Sequence, residues 1–461
     1  MTSSPQATIT SLGVDIRRGD ITSVGLTDEC LKTIAARNST LNAFITVCEH
    51  GARESAKALD EELAKGKDRG PLHGIPISLK DVIDLQGIPT TGATRHLAQN
   101  KARRDAVVVS RLRTAGAVLI GKCNLHELAF GTTGEESASG PTRNPHSMEH
   151  IAGGSSSGSA ISVATGMSLA SLGTDTGGSI RIPASACGVI GLKPTHGEIS
   201  MAGVLPLAPS LDHVGLIARS VQDVTIVFQI IRDVQQSHAS KSWDKHFNTN
   251  VDVRPLRSGA LVLGIPRSYF FEKIDPAVHT AFEKTVIRLN SAGYRVRDAT
   301  IPQAKYTGSV YLHTQLSEAS ECYSELLDNQ PETLSEEVRL RLELGRYVLA
   351  EDYVRAQRAR KILRDEVDAE LLRYSALLLP TLAIVPPRLG TKTITFGGDS
   401  STTRALTLRL TQLFNLTGHP VITIPCGTVE GLPIGVQLVG RRGRTEQLLS
   451  LASICEEAIR G

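Results

Sequence analysis

Two serine-bearing glycine turns lie close together in the sequence, and their residue types suit acyl transfer. The first covers residues 153–159 (GGSSSGS) and the second covers residues 173–181 (GTDTGGSIR). Tight turns of this kind can expose a serine hydroxyl, and consecutive glycines let several backbone N–H groups converge on one anion. A serine flanked by such donors can form an acyl intermediate whose oxyanion is stabilised.

Lys80 is a candidate base for such a serine. It ends an apolar run at residues 75–80, within the segment GIPISLKD. A lysine can accept a serine proton when burial keeps its amine neutral. Asp81 follows directly and would keep the amine charged if its carboxylate faced the same way. From the residues alone, Lys80 is either a buried base or a surface lysine at a strand end, and the surface is the commoner place.

Other chemistries fit these stretches less well. Residues 154–158 satisfy the GxSxG pattern of an α/β-hydrolase elbow with Ser156 at the centre, but residues 150–152 form a poor strand before it. An α/β-hydrolase also needs a histidine after the serine. Several histidines follow in the sequence, so their presence leaves this alternative open. The second turn lacks both phosphate-binding patterns, GxxxxGK[ST] and GxGxxG. His146 and His150 lie in a polar stretch without HExxH. We therefore predict no metal and no cofactor.

The composition is that of an ordinary globular protein. The chain has 461 residues, of which 41% are hydrophobic and 21% charged, and its net charge is +3. With one tryptophan and near-neutral charge, it lacks the usual features of a nucleic-acid-binding surface. We find no membrane-length apolar run, no signal-peptide pattern and no CxxC pair among seven cysteines. We expect a cytoplasmic protein that acts on a small molecule, with no nucleic-acid or membrane partner.

Strand-like and helix-like segments alternate around the motifs, which predicts an α/β fold with a large central sheet. Residues 85–92 and 386–399 are predicted to be loops. Helical spacing is expected at about 24–66, 106–115, 159–166, 336–369 and 446–459. Strands are expected at 75–80, 117–120, 167–172, 189–192, 376–379, 421–425 and 434–439.

In this order, the motifs resemble the amidase signature family. The likeness centres on residues 153–195, with further matches at 72–81, 121–131, 140–145 and 415–440. It implies a large mixed central β-sheet covered by helices on both faces. It also implies a single domain over residues 1–461. Its expected parts are an N-terminal helical segment (about 1–70), a catalytic core (about 71–225), a variable and mostly helical region (about 226–370) and a sheet-completing segment (about 371–461).

The resemblance also implies a Ser–cis-Ser–Lys triad. Ser179 would be the nucleophile, Ser155 the proton bridge after a cis Gly154–Ser155 bond, and Lys80 the base. Backbone N–H groups of the second turn, including that of Ser179, would hold the oxyanion. The further residues implied at the site are Thr176, Gly177 and Gly178 for the oxyanion, and Ser156, Thr174, Asp175 and Arg181 in support.

Two departures from the family pattern indicate which class of substrate to expect. Ile182 stands where the A-type component of tRNA amidotransferases usually has Gln, and Gly-Glu-Glu-Ser at 134–137 replaces its Thr-Glu-Asn-Ser. We therefore expect a stand-alone amidase that hydrolyses a small carboxylic amide to a carboxylate and ammonia or an amine. Carbamates, esters and a homodimer stay open. The alternative is the A-type subunit of a glutamine-dependent aminoacyl-tRNA amidotransferase, which would need partner subunits and RNA.

Two smaller expectations concern local structure. Ser157 replaces a glycine found in many members, which is tolerated unless that position needs a positive φ. Residues 128–133, 201–205 and 306–315 are expected to line the acyl pocket, because such segments vary most within a shared fold.

Overall fold

A mixed β-sheet is the centre of the fold. The computed structural model describes residues 7–233, 261–396 and 398–461. Within these ranges, eleven strands form one sheet, and β10 and β11 form a separate two-stranded ribbon. In chain order the strands are β1 (Phe44–Val47), β2 (Pro76–Lys80), β3 (Val118–Cys123), β4 (Ala170–Thr174), β5 (Ile190–Lys193), β6 (Val214–Ala218), β7 (Val262–Pro266), β8 (Arg295–Ala299), β9 (Ala376–Pro380), β10 (Thr393–Phe396), β11 (Asp399–Thr402), β12 (Val421–Val429) and β13 (Leu432–Val439).

The strand order is β1-β3-β2-β4-β6-β5-β12-β13-β9-β7-β8. Strands β3, β2 and β4 are parallel neighbours. Strands β6, β5, β12, β13 and β9 then follow β4 with antiparallel pairing throughout. The carboxyl ends of β2 and β4 therefore lie side by side at one edge of the sheet.

Helices cover both faces of this sheet. In β9, Ala376 and Leu378 pack into one hydrophobic cluster, whereas Leu377 and Leu379 pack into another. Alternate side chains of a strand point to opposite faces, so both faces are buried. The helices are α1 (Ile9–Arg18), α2 (Ser23–Leu41), α3 (Glu49–Ala64), α4 (Val107–Thr114), α5 (Ser157–Ala164), α6 (Arg181–Cys187), α7 (Val221–Ile231), α8 (Pro276–Ser291), α9 (Thr307–Cys322), α10 (Ser324–Asn329), α11 (Glu336–Gly345), α12 (Ala350–Arg373), α13 (Thr403–Leu408), α14 (Leu413–Thr417) and α15 (Thr445–Arg460).

Two long helical predictions are divided in the structure. The stretch predicted at 24–66 contains α2, β1 and α3, because Asn42 adopts a left-handed conformation (φ 54°) that ends α2. The stretch predicted at 336–369 is divided into α11 and α12. Helix α11 ends at Gly345, which packs so closely on α9 that an added Cβ would lie 2.2 Å from the Leu316 carbonyl oxygen.

Other boundaries shift by a few residues. The strand predicted at 167–172 is β4 at Ala170–Thr174, and the loop predicted at 386–399 contains β10. Among the described residues, none of the helices combines the length and the apolar character that crossing a bilayer would require.

Candidate active site

Lys80 and Thr174 are the last residues of β2 and β4, so the parallel pairing of these strands brings them together. The Lys80 side-chain nitrogen, Nζ, lies 2.7 Å from Ser155 Oγ and 2.8 Å from Thr174 Oγ1. Ser155 follows a cis peptide bond from Gly154 and precedes α5. All three side chains are buried, and they meet at the carboxyl edge of the parallel strands.

Burial determines the charge of Lys80. The loss of hydration lowers the pKa of Lys80 from 10.5 to about 7, although the negative charges of Asp175 and Asp212 oppose this shift. A large fraction of the amine is therefore neutral near neutral pH. A neutral amine at this position can accept a proton from the Ser155 hydroxyl.

The carboxylate of Asp81 faces away from Lys80. It forms a fully buried ion pair with Lys122 of β3, whose Nζ lies 2.7 Å from Asp81 Oδ1. The other oxygen, Oδ2, accepts hydrogen bonds from the backbone N–H and the hydroxyl of Thr91. Because the Asp81 carboxylate is paired with Lys122, it does not stabilise the protonated form of Lys80.

Ser179 lies on the turn between β4 and α6, and it is 6% exposed. In the described part of the chain, no hydrogen bond joins its hydroxyl to Ser155 or Lys80. Its carbonyl oxygen instead accepts a hydrogen bond from the N–H of Ser156 at 3.1 Å. The structure thus brings Lys80 and Ser155 into direct contact and holds Ser179 beside them through the main chain.

The backbone of this turn presents a row of available donors. Among the described residues, the N–H groups of Thr176, Gly177, Gly178 and Ser179 donate to no other group. Gly178 has φ +142°, and an added Cβ would lie 2.4 Å from Thr411 Oγ1. A Cβ on Gly177 would lie 2.1 Å from the Tyr311 hydroxyl oxygen. Both positions therefore need glycine, and the available N–H groups are suited to an oxyanion.

Asp175 anchors the start of the turn. Its carboxylate accepts hydrogen bonds from the Arg181 guanidinium at 3.0 Å and from Asn415 Nδ2 at 2.8 Å. Burial alone would raise the pKa of Asp175, but Arg181, Lys193 and Asn415 hold it below its ordinary range. This buried ion pair fixes the position of the turn that carries the available N–H groups.

The remaining serines of the first turn have structural positions. The Ser156 hydroxyl donates to the Thr174 carbonyl oxygen at 3.1 Å and so joins the two turns. Ser157 begins α5 without a positive φ, so this position does not require glycine. Among the described residues, its buried hydroxyl has no hydrogen-bond partner.

A polar wall containing two arginines lies close to the turn, beside Tyr311. Arg341 donates to the Phe130 carbonyl oxygen at 2.7 Å, and Arg404 places its guanidinium carbon 5.5 Å from the centre of the Phe130 ring. Burial and the positive charge of Arg341 lower the pKa of Arg404 to about 10. Two guanidinium groups thus face the same region. Phe130 and Tyr311 fall in segments expected to line the pocket, whereas no pattern in the sequence indicated the arginines.

Sequence reasoning also missed Lys122, Thr411 and Asn415. Thr411 donates to the Gly177 carbonyl oxygen at 2.6 Å, although the two residues are more than 200 positions apart in the chain. Asn415 begins a segment that matches the family pattern, which was the available signal for it. Lys122 likewise lies in a matching segment, residues 121–131, but its partnership with Asp81 depends on strand pairing.

Comparisons with known proteins identify the family. The chain belongs to the amidase family, since the family model described as Amidase matches residues 25–449. A crystal structure of an amidase aligns with a TM-score of 0.89 at 35% identity, covering 98% of this chain and 100% of that one. The chain is accordingly an amidohydrolase that acts on C–N bonds, with the mixed sheet typical of the amidase signature fold.

Two further relatives carry a more specific name. The A-type subunit of glutamyl-tRNA(Gln) amidotransferase from Roseiflexus sp. (strain RS-1) is 38% identical over 98% of this chain and 96% of its own length. The crystal structure of the protein of the same name from Thermotoga maritima aligns with a TM-score of 0.79 at 32% identity, covering 98% of this chain and 94% of that one.

These relatives overturn the expectation of a stand-alone amidase without a nucleic-acid partner. The similarity covers nearly the whole chain, whereas that expectation relied on the near-neutral charge, the scarcity of aromatic residues and two local departures. Ile182 is fully buried, and its Cδ1 would be 2.8 Å from a Cβ on Gly178. Its identity therefore reflects packing against the turn. In the other departure, Glu135 accepts a hydrogen bond from the Gly390 N–H, a contact within this chain.

Proposed function

We propose that this chain is the A-type subunit of a glutamine-dependent aminoacyl-tRNA amidotransferase and that it hydrolyses the side-chain amide of glutamine. The observation that carries the proposal is the 38% identity, over almost the full length, to the A-type subunit of such an enzyme. The ammonia released would serve to amidate a tRNA-bound glutamyl group elsewhere in the complex. The partners would be the other subunits and tRNA.

The proposed reaction begins with proton transfer. Neutral Lys80 accepts the proton of Ser155, and Ser155 takes the proton of Ser179, whose oxygen attacks the amide carbon. The 2.7 Å contact between Lys80 Nζ and Ser155 Oγ supports the first transfer. Closing of the site around glutamine would bring Ser179 Oγ into hydrogen-bond reach of Ser155, as catalytic contacts often tighten only with substrate.

The tetrahedral intermediate then collapses. The available N–H groups of residues 176–179 stabilise its oxyanion, and the proton held by the relay passes to the leaving nitrogen, which departs as ammonia. This leaves a glutamyl ester on Ser179. A water molecule attacks the ester with the same relay as base, and glutamate is released as Ser179 regains its proton.

The arginine wall supports an amino-acid substrate. Arg404 pairs with the uncharged amide oxygen of Gln315 at 2.9 Å, and the positive charge of Arg341 acts on it. Arg341 forms an ion pair with Glu337, whereas Arg404 has no carboxylate partner among the described residues. A substrate carboxylate beside Arg404 would supply that counter-charge and accept hydrogen bonds from the guanidinium. Glutamine offers such a carboxylate at the end opposite to its reactive amide.

Exchange of subunits tests the proposal. We would replace the A-type subunit of the Roseiflexus amidotransferase with this chain and measure glutamine-dependent conversion of glutamyl-tRNA(Gln) to glutaminyl-tRNA(Gln). We expect amidation with the wild-type chain and none with Ser179→Ala. In parallel, ammonia release from glutamine is measured for the chain alone and with the remaining subunits.

The outcomes separate the possible functions. Amidation, or glutamine hydrolysis that increases when the other subunits and tRNA are added, supports the proposal. The proposal fails if the chain releases no ammonia from glutamine but hydrolyses simple aryl or aliphatic amides rapidly by itself.

A further inference from the structure

An open cavity of about 820 Å³ lies between α12 and the loops around residues 195, 418 and 442, and it contains none of the residues assigned to the candidate active site. It is of a size that holds a small organic ligand. Four arginines and two aspartates supply its charged wall: Arg360, Arg364, Arg441, Arg442, Asp365 and Asp368.

The aspartates of this cavity are already paired. Asp368 accepts hydrogen bonds from Arg442 at 2.5 Å and from His419 Nε2 at 3.1 Å. Asp365 forms an ion pair with Lys361 at 2.7 Å. Lys361 and Arg442 offset the two negative charges. Among the described residues, Arg360, Arg364 and Arg441 have no carboxylate partner, so positive charge dominates the cavity wall.

Arg364 differs from the other arginines of the cavity in its hydrogen bonding. Among the described residues, its buried Nε has no hydrogen-bond partner, and no carboxylate lies within ion-pair distance. Its neighbour Arg360, in contrast, donates to the carbonyl oxygens of Ser210 and Leu416 at 2.7 and 2.6 Å. The Nε atom is covered by protein, so a ligand in the cavity would instead contact the terminal nitrogens of the guanidinium. Those nitrogens also have no hydrogen-bond or ion-pair partner among the described residues, and a guanidinium of this kind is suited to binding an anion.

We propose that this cavity is a binding site for a phosphate group, held by Arg364 with help from Arg441 and Arg442. Phosphate oxygens match the planar fork of arginine and can accept from several guanidinium groups at once. The phosphate is carried either by a small molecule that fills the cavity or by an RNA backbone. The described lining has no Trp, Tyr or Phe and contains one aromatic ring, that of His196. Four arginines against one ring make the charge of the phosphate the main feature that the site recognises.

Binding of pyrophosphate to the full chain tests the site directly. Isothermal titration calorimetry with sodium pyrophosphate should show saturable binding, and Arg364→Gln should weaken it about tenfold or more, as expected for a charge-assisted hydrogen bond. Asp368→Asn should strengthen binding, because it removes a competing carboxylate and frees Arg442. Arg358→Gln is the matched control, since Arg358 is an exposed arginine of the same helix outside the cavity.

A second arm uses a tRNA transcript in a filter-binding assay with the same variants. If Arg364→Gln weakens pyrophosphate binding and Arg358→Gln does not, the ligand of the site is a small phosphate-bearing molecule. If the two variants differ only in tRNA binding, the ligand is the RNA backbone. If neither probe binds the wild-type chain at millimolar concentration, or if Arg364→Gln and Arg358→Gln behave alike, the site does not exist. This inference does not depend on the amidotransferase proposal.

Discussion

Lys80 is the residue on which the proposed chemistry depends, because only its neutral form can act as a base. Its surroundings favour that form. The side chain is fully buried, and the adjacent Asp81 carboxylate is bound by Lys122 instead. Its two hydrogen-bond partners are hydroxyls, which tolerate either charge state of the amine.

The pH dependence of turnover should therefore report Lys80. With a pKa of about 7, the neutral fraction grows as pH rises through 7, so kcat/KM for glutamine should increase and level off above about pH 8. Initial rates of ammonia release over about pH 5.5–9 measure this. On the plateau above about pH 8, Lys80→Met should lower turnover by about 10²–10⁴-fold, the range typical of a lost general base, and its profile should lack the rise through pH 7. A profile that falls over this range, or a Lys80→Met variant with nearly full activity, would refute the role.

Ser179 should be the residue that reacts with a serine-directed probe. We expect stoichiometric labelling of the wild-type chain by a fluorophosphonate and none for Ser179→Ala, measured by intact-protein mass spectrometry. Ser157→Ala is the control, because its hydroxyl has no partner among the described residues and its loss should leave labelling unchanged. Full labelling of Ser179→Ala would show that another residue is the nucleophile.

At the scale of elements, the parallel neighbours β3, β2 and β4 place the site. Lys80 leaves the end of β2 towards the serines, and Asp81 continues in the other direction to reach Lys122 of β3. The ion pair joins the loop after β2 to a neighbouring strand. It thereby separates a structural carboxylate from the proposed catalytic amine that is adjacent in sequence.

Removing one partner of this pair should be costly. Lys122→Met leaves the Asp81 carboxylate buried without its counter-charge, and we expect a loss of about 3–5 kcal/mol in the free energy of unfolding. Urea denaturation followed by circular dichroism measures it. The double variant Asp81→Asn, Lys122→Met should recover a large part of the lost free energy of unfolding, since no buried charge of this pair is then left unpaired. A single variant as stable as wild type would show that the pair has no structural role.

At the scale of the whole molecule, distant parts of the chain complete the site. Thr411 and Asn415 hold the turn at residues 175–181 from near the carboxyl-terminal end of the sequence. Arg341 of α11 and Arg404 of α13 meet at the Phe130 carbonyl oxygen. The proposed substrate wall is therefore a product of the complete fold.

This arrangement predicts a binding defect for Arg404→Gln. Without one of the two guanidinium groups, KM for glutamine should rise about tenfold or more, while kcat changes little, because the lost contact is equal in ground state and transition state. Steady-state kinetics separate the two constants. Arg346→Gln, at the end of α11 and paired with Asp328, should leave both constants unchanged. A fall in kcat alone would place Arg404 in the chemical step.

Short sequence patterns predicted the fold more reliably than long ones. Short apolar runs identified seven of the eleven strands that the described residues form in the sheet, and their alternation with helices indicated the α/β class. Long helical patterns were less reliable, because single residues end a helix. Asn42 does so by its left-handed conformation, and α11 ends at Gly345, where its backbone lies close to that of α9. The prediction of a stand-alone amidase was wrong for a related reason. It took Ile182 as a mark of substrate class, whereas this side chain packs against the turn.

By itself the sequence determined the family, the α/β class and the residues that are candidates for chemistry, because these depend on the order and type of residues within short segments. Tertiary structure decided which way Asp81 points, how far burial lowers the pKa of Lys80, and which arginines flank the proposed substrate region. Each of these depends on groups that are remote in sequence and meet only when the sheet assembles. Charge, hydration and hydrogen bonding are set by neighbours in space.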